Sequence, residues 1–325
     1  MRDQYGREVD YLRLSVTDRC GFRCRYCVSG AGGPFLPEGD LLTDGELERV
    51  VRAAASLGVT RLKLTGGEPL ARLGLTALAA RLGAVPGIRS LTLTTNGAAL
   101  APVAQDLRAA GVREVNISLD TLDRARFRAL TGVDALDRVL AGLDAAVGVG
   151  FDRVKVNCVT GEDLDQGDPA ALAELARARA VDVRYIESMP IGCGRTFRPV
   201  TRAALARRLA ERYGPLIPSG ERGNGPAEYY RLRGFAGRIG FISAVSEPFC
   251  AGCNRIRLTP DGQFKPCLQY RPTLDVRALL RGGATDGELC AALREAIWQK
   301  PRAHCFAQPA AGERLEDRPM SAIGG

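Results

Sequence analysis

Strand-like and helix-like segments alternate from residue 11 to about residue 213, and this order restricts the fold more than any other feature of the chain. Tyr11–Val16, Arg61–Thr65, Ser90–Thr94, Arg113–Leu119, Arg153–Val159 and Val181–Glu187 read as strands, with helical stretches between them. In the stretch Thr43–Leu57, Thr43 and Glu46 form a capping box, and Leu47, Val50, Val51, Ala54 and Leu57 share one face. Gly58 stands where a helix ends, and Ala101–Ala110, Ala135–Val147 and Pro169–Ala180 read as further helices. Strand–helix units in series predict a parallel sheet whose right-handed crossovers put all strand C-termini on one face. Six units are too few for an eight-fold barrel, so the expected fold is α/β, a partial (β/α)6 TIM-type barrel.

The pattern changes after Tyr213. Pro215 to Pro226 reads as a loop, Tyr229–Arg233 and Arg238–Ser243 as short antiparallel strands, and Asp286–Ile297 as a helix. Residues 1–214 are therefore expected to form the barrel and 215–325 a C-terminal extension, with Pro309 to Gly325 poorly structured. No apolar run approaches the ~20 residues of a membrane helix, and Met1 to Tyr11 is too polar for a secretory signal, so the expected location is cytoplasmic. The net charge of +8 favours an anionic partner. The arginines responsible are spread along the chain without a dense basic block, which argues against nucleic acid.

Ten cysteines in such a chain point to metal or redox chemistry, since cytoplasmic disulfides are disfavoured. Cys158, Cys193, Cys290 and Cys305 are scattered and read as small buried apolar residues. The other six form two groups. Cys20, Cys24 and Cys27 are spaced CxxxCxxC just after the first strand. Three thiolates in a short loop can hold three irons of a [4Fe–4S] cube and leave the fourth open, an arrangement suited to chemistry. A zinc site with one distant ligand remains the other reading, and His304 is the only histidine. Cys250, Cys253 and Cys267 give CxxC-x13-C, again without an adjacent fourth ligand. If the intervening Arg255-Ile-Arg257 is extended, both guanidiniums point the same way and suit a polyanion.

The first cysteine spacing, with Tyr26 before its last cysteine, resembles the radical S-adenosylmethionine (SAM) superfamily. Thr65-Gly66-Gly67-Glu68-Pro69, about 40 residues on, strengthens the likeness. The resemblance implies that SAM chelates the open iron and is cleaved to a 5′-deoxyadenosyl radical. It implies SAM contacts at Tyr26, Gly67, Glu68, Ser118 and Met189, with Glu68 holding the amino group. The second spacing with its RxR insert resembles the GTP 3′,8-cyclase family, and the likeness runs from Leu12-Arg13 to the terminal Gly324-Gly325. It includes Leu93-Thr-Thr-Asn-Gly97, Val154-Lys-Val-Asn157 and Arg184-Tyr-Ile-Glu187.

That resemblance implies two [4Fe–4S] clusters, on Cys20, Cys24, Cys27 and on Cys250, Cys253, Cys267. It implies GTP contacts at Arg13, Lys63, Thr94, Lys155, Arg184, Arg255 and Arg257, and a catalytic set of Arg13, Arg255, Arg257, Gly324 and Gly325. The implied reaction converts GTP to (8S)-3′,8-cyclo-7,8-dihydroguanosine 5′-triphosphate, the first step of molybdenum cofactor biosynthesis. An external electron donor, a downstream cyclic pyranopterin monophosphate synthase and a homodimer are implied with it. Two departures from the family pattern are visible. Lys63 replaces an arginine, keeping the charge and losing the bidentate fork. Val28-Ser-Gly-Ala-Gly-Gly33 replaces Met-Pro, and its glycines predict a mobile loop over the SAM site. Two other functions fit the cysteines: a radical SAM enzyme acting on a different substrate, such as a peptide, and a zinc protein that binds nucleic acid.

Overall fold

The structure, a computed structural model, describes residues 1–28, 34–162, 164, 169–306 and 315–324. The six expected strands are present as β1 (Tyr11–Ser15), β2 (Arg61–Thr65), β3 (Ser90–Thr95), β4 (Val112–Ser118), β5 (Arg153–Thr160) and β6 (Val181–Glu187). They pair in chain order, each parallel to the next. The C-terminal part adds β7 (Ile217–Arg222), β8 (Glu228–Arg231), β9 (Ile239–Ile242), β10 (Arg255–Leu258), β11 (Gln263–Lys265) and β12 (Leu274–Asp275).

All twelve strands belong to one sheet, ordered β12-β11-β10-β1-β2-β3-β4-β5-β6-β9-β8-β7. Strand β9 is antiparallel to β8, as expected, and also parallel to β6. Strand β10 is parallel to β1. The extension therefore flanks the six-unit core on both sides, giving eight parallel strands in an open partial barrel among the described residues. The expected loop from Pro215 to Pro226 contains β7 instead. Pro218 is compatible with that strand because β7 lies at the sheet edge, where a missing donor breaks no ladder.

Side-chain alternation explains the shape. Leu12, Leu14, Leu62, Leu64, Leu91, Leu93, Ile256 and Leu258 are buried in the apolar layer under the helices. The residues between them, Arg13, Lys63, Thr92 and Arg257, line an interior cavity. Parallel strands sealed on both faces read as continuous apolar runs, so this alternation marks a polar lumen. Outside the sheet, Thr43 Oγ1 accepts the Glu46 N–H at 3.2 Å, and Glu46 accepts the Thr43 N–H at 2.7 Å. The helix so capped, Asp44–Ser56, buries Leu47, Val50, Val51 and Ala54. Helix Asp286–Trp298 of the extension packs against it.

The chain end differs from its expectation. Residues 315–324 are packed, with a single helical turn at Met320–Ile323 and Ile323 fully buried. Of the expected loop over the SAM site, Val28–Gly33, residues 29–33 lie outside the described residues, as does the terminal Gly325.

Candidate active site and cysteine clusters

The cavity, of about 300 Å³, opens at the C-terminal ends of the parallel strands. Cys20, Cys24 and Cys27 line one part of it. Their loop is stitched down at both sides: Arg23 N–H donates to the Thr131 carbonyl at 2.7 Å, and Arg25 N–H to that of Leu130 at 3.0 Å. Cys27 N–H then turns back to the Cys24 carbonyl at 2.8 Å. Burial pushes Cys20 up, Cys24 well up and Cys27 to about 12, and neighbouring thiols add to the rise at Cys24 and Cys27. An iron ligand must be a thiolate, so metal binding here would release these protons. Among the described residues no three ligand side chains converge on a single ion. Three thiols on one loop that line one cavity fit a cube, where each sulfur takes a different iron.

Gly66 and Gly67 answer to the chain itself. A Cβ at Gly67 would stand 2.4 Å from the Asp18 carbonyl oxygen, and one at Gly66 2.6 Å from that of Thr17. The turn after β2 is thus pressed against the start of the cysteine loop, with Gly67 N–H donating to Thr17 and Glu68 N–H to Arg19, both at 2.7 Å. Glu68 is buried and does not line the cavity. Its oxygens accept from Thr95 Oγ1 at 2.7 Å, Asn96 N–H at 2.6 Å and Leu70 N–H at 3.0 Å. Burial raises its pKa against those donors. One of about four carboxylate acceptor positions remains for an ammonium. Gly67, Tyr26, Ser118 and Met189 do line the cavity.

Asp120 was not expected at the site. Its Oδ2 accepts the Tyr26 hydroxyl at 2.8 Å and its Oδ1 the Val159 N–H at 2.8 Å. Burial lifts its carboxyl to about 6 against those two donors. Its place two residues after Ser118, at a strand end, was the available signal.

Every expected GTP contact reaches the same cavity: Arg13, Lys63, Thr94, Lys155, Arg184, Arg255 and Arg257. Strand register does this, pairing Arg13 with Lys63 on one side and with Arg257 on the other. Thr94 and Lys155 both pair with Asn116. Lys155 forms an ion pair with Glu114. Arg184 donates to Asn157 Oδ1 at 2.9 Å and to Asn116 Oδ1 at 2.6 Å. The remaining cations oppose one another. Burial, then Arg13, Arg184 and Lys155, hold Lys63 well below the usual lysine range. Burial, then Arg13 and Arg255, do the same to Arg257.

The second cysteine group sits beside these arginines. Cys250–Gly252 is one turn of 3₁₀ helix, closed by Cys253 N–H to the Cys250 carbonyl at 3.1 Å. Burial raises Cys250, and Cys267 and Cys253 add to the rise. Burial would raise Cys253 as well, but the charges of Arg255 and Lys300 outweigh it and hold the thiol at about 6. A thiolate is the iron ligand, so this charge environment fits a cluster.

Lys300 and Arg7 were missed. Lys300 Nζ donates to the Arg255 carbonyl at 2.7 Å and also to that of Pro266, tying β10 to the Cys267 segment. Arg7 Nη1 donates to the Cys250 carbonyl at 3.0 Å. The chain has four lysines, Lys63, Lys155, Lys265 and Lys300, and all four are buried. Lysine is almost never fully buried unless paired, so its scarcity was a usable sign. Of the four scattered cysteines only Cys158 is buried; Cys193, Cys290 and Cys305 are half-exposed, and Cys193 stands near Cys27.

Gly324 reaches the cavity's basic wall, where its carbonyl accepts from Arg257 Nη1 at 3.1 Å. Its φ is +76°, and a Cβ there would stand 2.6 Å from Ser15 Cβ and 2.9 Å from Thr65 Oγ1. Only glycine fits this position without displacement.

Comparison with known proteins is consistent across sequence and structure. The Radical SAM superfamily description matches residues 14–176, and Molybdenum Cofactor Synthesis C matches residues 181–306. The chain is 47% identical to GTP 3′,8-cyclase 1 of Pseudomonas aeruginosa over 99% of its length and 98% of the relative's. It is 44% identical to GTP 3′,8-cyclase of Pelotomaculum thermopropionicum over the full length of both. Among solved structures it resembles Streptococcus suis SuiB bound to precursor peptide SuiA, with a TM-score of 0.60 at 17% identity. That alignment covers 91% of this chain and 66% of SuiB, and shows the fold alone. HydG from Carboxydothermus hydrogenoformans aligns with a TM-score of 0.52 at 16% identity, over 91% of this chain and 71% of HydG.

Proposed function

The chain belongs to the GTP 3′,8-cyclase family within the radical SAM superfamily, and on that premise we propose that its cavity binds GTP between two [4Fe–4S] sites. The reaction is conversion of GTP to (8S)-3′,8-cyclo-7,8-dihydroguanosine 5′-triphosphate, the first step of molybdenum cofactor biosynthesis. One observation carries this reading. Arg13, Lys63, Lys155, Arg184, Arg255 and Arg257, from five strands, converge on one buried cavity that runs from the first cysteine group to the strand beside the second. Four of the six, Lys63, Lys155, Arg184 and Arg257, are buried; cations so placed call for a polyanion, and guanidinium forks match phosphate oxygens.

Cys20, Cys24 and Cys27 would hold the cluster that binds SAM, and Cys250, Cys253 and Cys267 the cluster beside the purine. Bound there, the clusters and SAM supply the electron transfer and the radical chemistry. The chain's own residues position and enclose. Lys63, Lys155, Arg184, Arg255 and Arg257 hold the triphosphate, and Arg13 holds it from β1, so that C3′ of the ribose faces the SAM side. Tyr26, Gly67, Ser118 and Met189 form the wall around SAM, with Glu68 behind them meeting its ammonium. Gly324 and Gly325 complete the catalytic set with Arg13, Arg255 and Arg257. The division between 1–214 and 215–325 then separates the SAM-binding part from the part that carries the second cluster, although both share one sheet.

We further propose an external electron donor, hand-off of the product to a cyclic pyranopterin monophosphate synthase, and a homodimer. A cytoplasmic setting suits the cysteine content, and no helix among the described residues is long and apolar enough to cross a membrane. The decisive experiment is anaerobic. The protein is reconstituted with iron and sulfide, supplied with dithionite, SAM and GTP deuterated at C3′, and the 5′-deoxyadenosine is weighed. Deuterium in that product supports both the radical chemistry and the carbon attacked. Unlabelled 5′-deoxyadenosine would break the assignment of GTP, and none at all would break the assignment to radical chemistry.

A further inference from the structure

The chain's last described segment is tied down eight residues before Gly324, on Lys265, the cross-strand partner of Arg257. Lys265, at the end of β11, and Glu316 form an ion pair whose side chains are 0% and 1% exposed. The other carboxylate oxygen of Glu316 accepts from Arg318 N–H and Arg318 Nε, both at 3.1 Å. The backbone of Glu316 is held as well: its N–H donates to the Gln269 carbonyl at 2.6 Å, and its carbonyl accepts from Arg195 at 2.9 Å. Lys265 and Gln269 stand two residues on either side of Cys267. The turn at Gly192 presses on the same segment, where an added Cβ would stand 3.2 Å from the Arg318 carbonyl oxygen. From Pro319 the chain makes one helical turn, buries Ile323 completely, and delivers Gly324 to Arg257.

A buried charge pair is weak evidence of stability, because desolvation offsets much of its attraction, but it does specify one geometry. Here that geometry sets a fixed length of chain between the Cys267 segment and the cavity. We propose that Glu316 is a positioning residue for the reaction: its anchor on Lys265 and Gln269 fixes how far the C-terminal tail enters the cavity, and so seats Gly324 against Arg257. The inference rests on the reading of the cavity as the site of GTP cyclisation. None of the hydrogen-bond partners of Glu316, Lys265, Arg318, Gln269 and Arg195, lines the cavity, and Glu316 takes no part in the chemistry.

The test compares reconstituted wild-type protein with Glu316→Gln, Glu316→Asp and the double change Lys265→Met with Glu316→Gln. The double change removes both buried charges together, so it keeps the fold if the single change does not. Amide hydrogen exchange is read at residues 320–324 and at 255–258, with iron content and kcat for GTP. In Glu316→Gln and the double variant, exchange at 320–324 rises at least tenfold and kcat falls at least tenfold. Exchange at 255–258 and iron content stay at wild-type levels. Glu316→Asp, which keeps the charge, lies between. Wild-type protection of 320–324 in the double variant would overturn the proposal, and so would a freed tail with unchanged kcat. Wild-type protein that makes no cyclised product sinks the reading of the cavity instead, and the exchange comparison still decides the anchor.

Discussion

Arg257 and Gly324 lie 67 residues apart in sequence and meet at 3.1 Å, the guanidinium of β10 donating to the carbonyl near the chain end. The contact exists because Gly324 fits between Ser15 and Thr65 with a positive φ, a space closed to any side chain. Gly324→Ala should therefore unseat the tail and leave the fold intact. A left-handed backbone costs about 1–2 kcal/mol for a non-glycine residue, and overpacking adds about 1–3. At ~1.4 kcal/mol per decade, the equilibrium constant for seating the tail falls between about 30-fold and about 4 × 10³-fold. The rate of GTP cyclisation should fall with it while the thermal midpoint stays put. A rate within threefold of wild type would refute the assignment.

The crowded cations predict proton uptake on binding. Burial, then Arg13, Arg184 and Lys155, lower the pKa of Lys63 well below its usual value. A lowered base favours its neutral form in the folded state, so this group's contribution to stability grows as pH rises toward the unfolded value. A triphosphate among the cations reverses the effect and restores the charge. Calorimetric titration of GTP at about pH 8 in two buffers of different ionisation enthalpy should show net uptake of protons. Lys63→Met should reduce that uptake. Proton release by wild-type protein would place the phosphates elsewhere.

The two cysteine groups should be separable by iron analysis. Replacing Cys250, Cys253 and Cys267 by alanine should reduce reconstituted iron from about eight to about four per chain, since each [4Fe–4S] site holds four. A chain holding about two zinc ions and no acid-labile sulfide would contradict both sites. In protein reconstituted to the wild-type iron content, Arg255→Ala with Arg257→Ala should weaken GTP binding by on the order of 10²-fold, taking ~1.5–3 kcal/mol for each charged hydrogen bond lost, less what the other cations recover. Unaltered activity in that variant would favour a different substrate.

Much of this site was legible because the ligands are local and the strands repeat. Cys20, Cys24 and Cys27 follow β1 directly, and Arg255 and Arg257 alternate on β10 with the buried Ile256. What was not legible depends on distant pairing. Nothing near Ile239 or Arg255 says that their strands flank β6 and β1 on opposite edges of one sheet. The glycines of Gly66-Gly67 suggested a ligand, whereas the carbonyls they approach belong to Thr17 and Asp18. The tail read as unstructured because its anchor, Lys265, lies 51 residues away.

Glu316 also predicts an acid dependence. Burial would raise its carboxyl, but Arg318 and Lys265 outweigh it and hold the group at about 2. A carboxyl depressed in the folded state contributes stability above its unfolded pKa of about 4.3, and that contribution is lost as pH falls toward the folded value. The stability difference between wild type and Glu316→Gln should then shrink between about pH 4 and pH 2. Urea unfolding of both proteins across that range measures it, with Glu174→Gln as a control at a half-exposed carboxylate. A difference that persists undiminished at about pH 2.5 would mean that Glu316 acts through packing, and that its charge on Lys265 and Arg318 does not set the tail's hold.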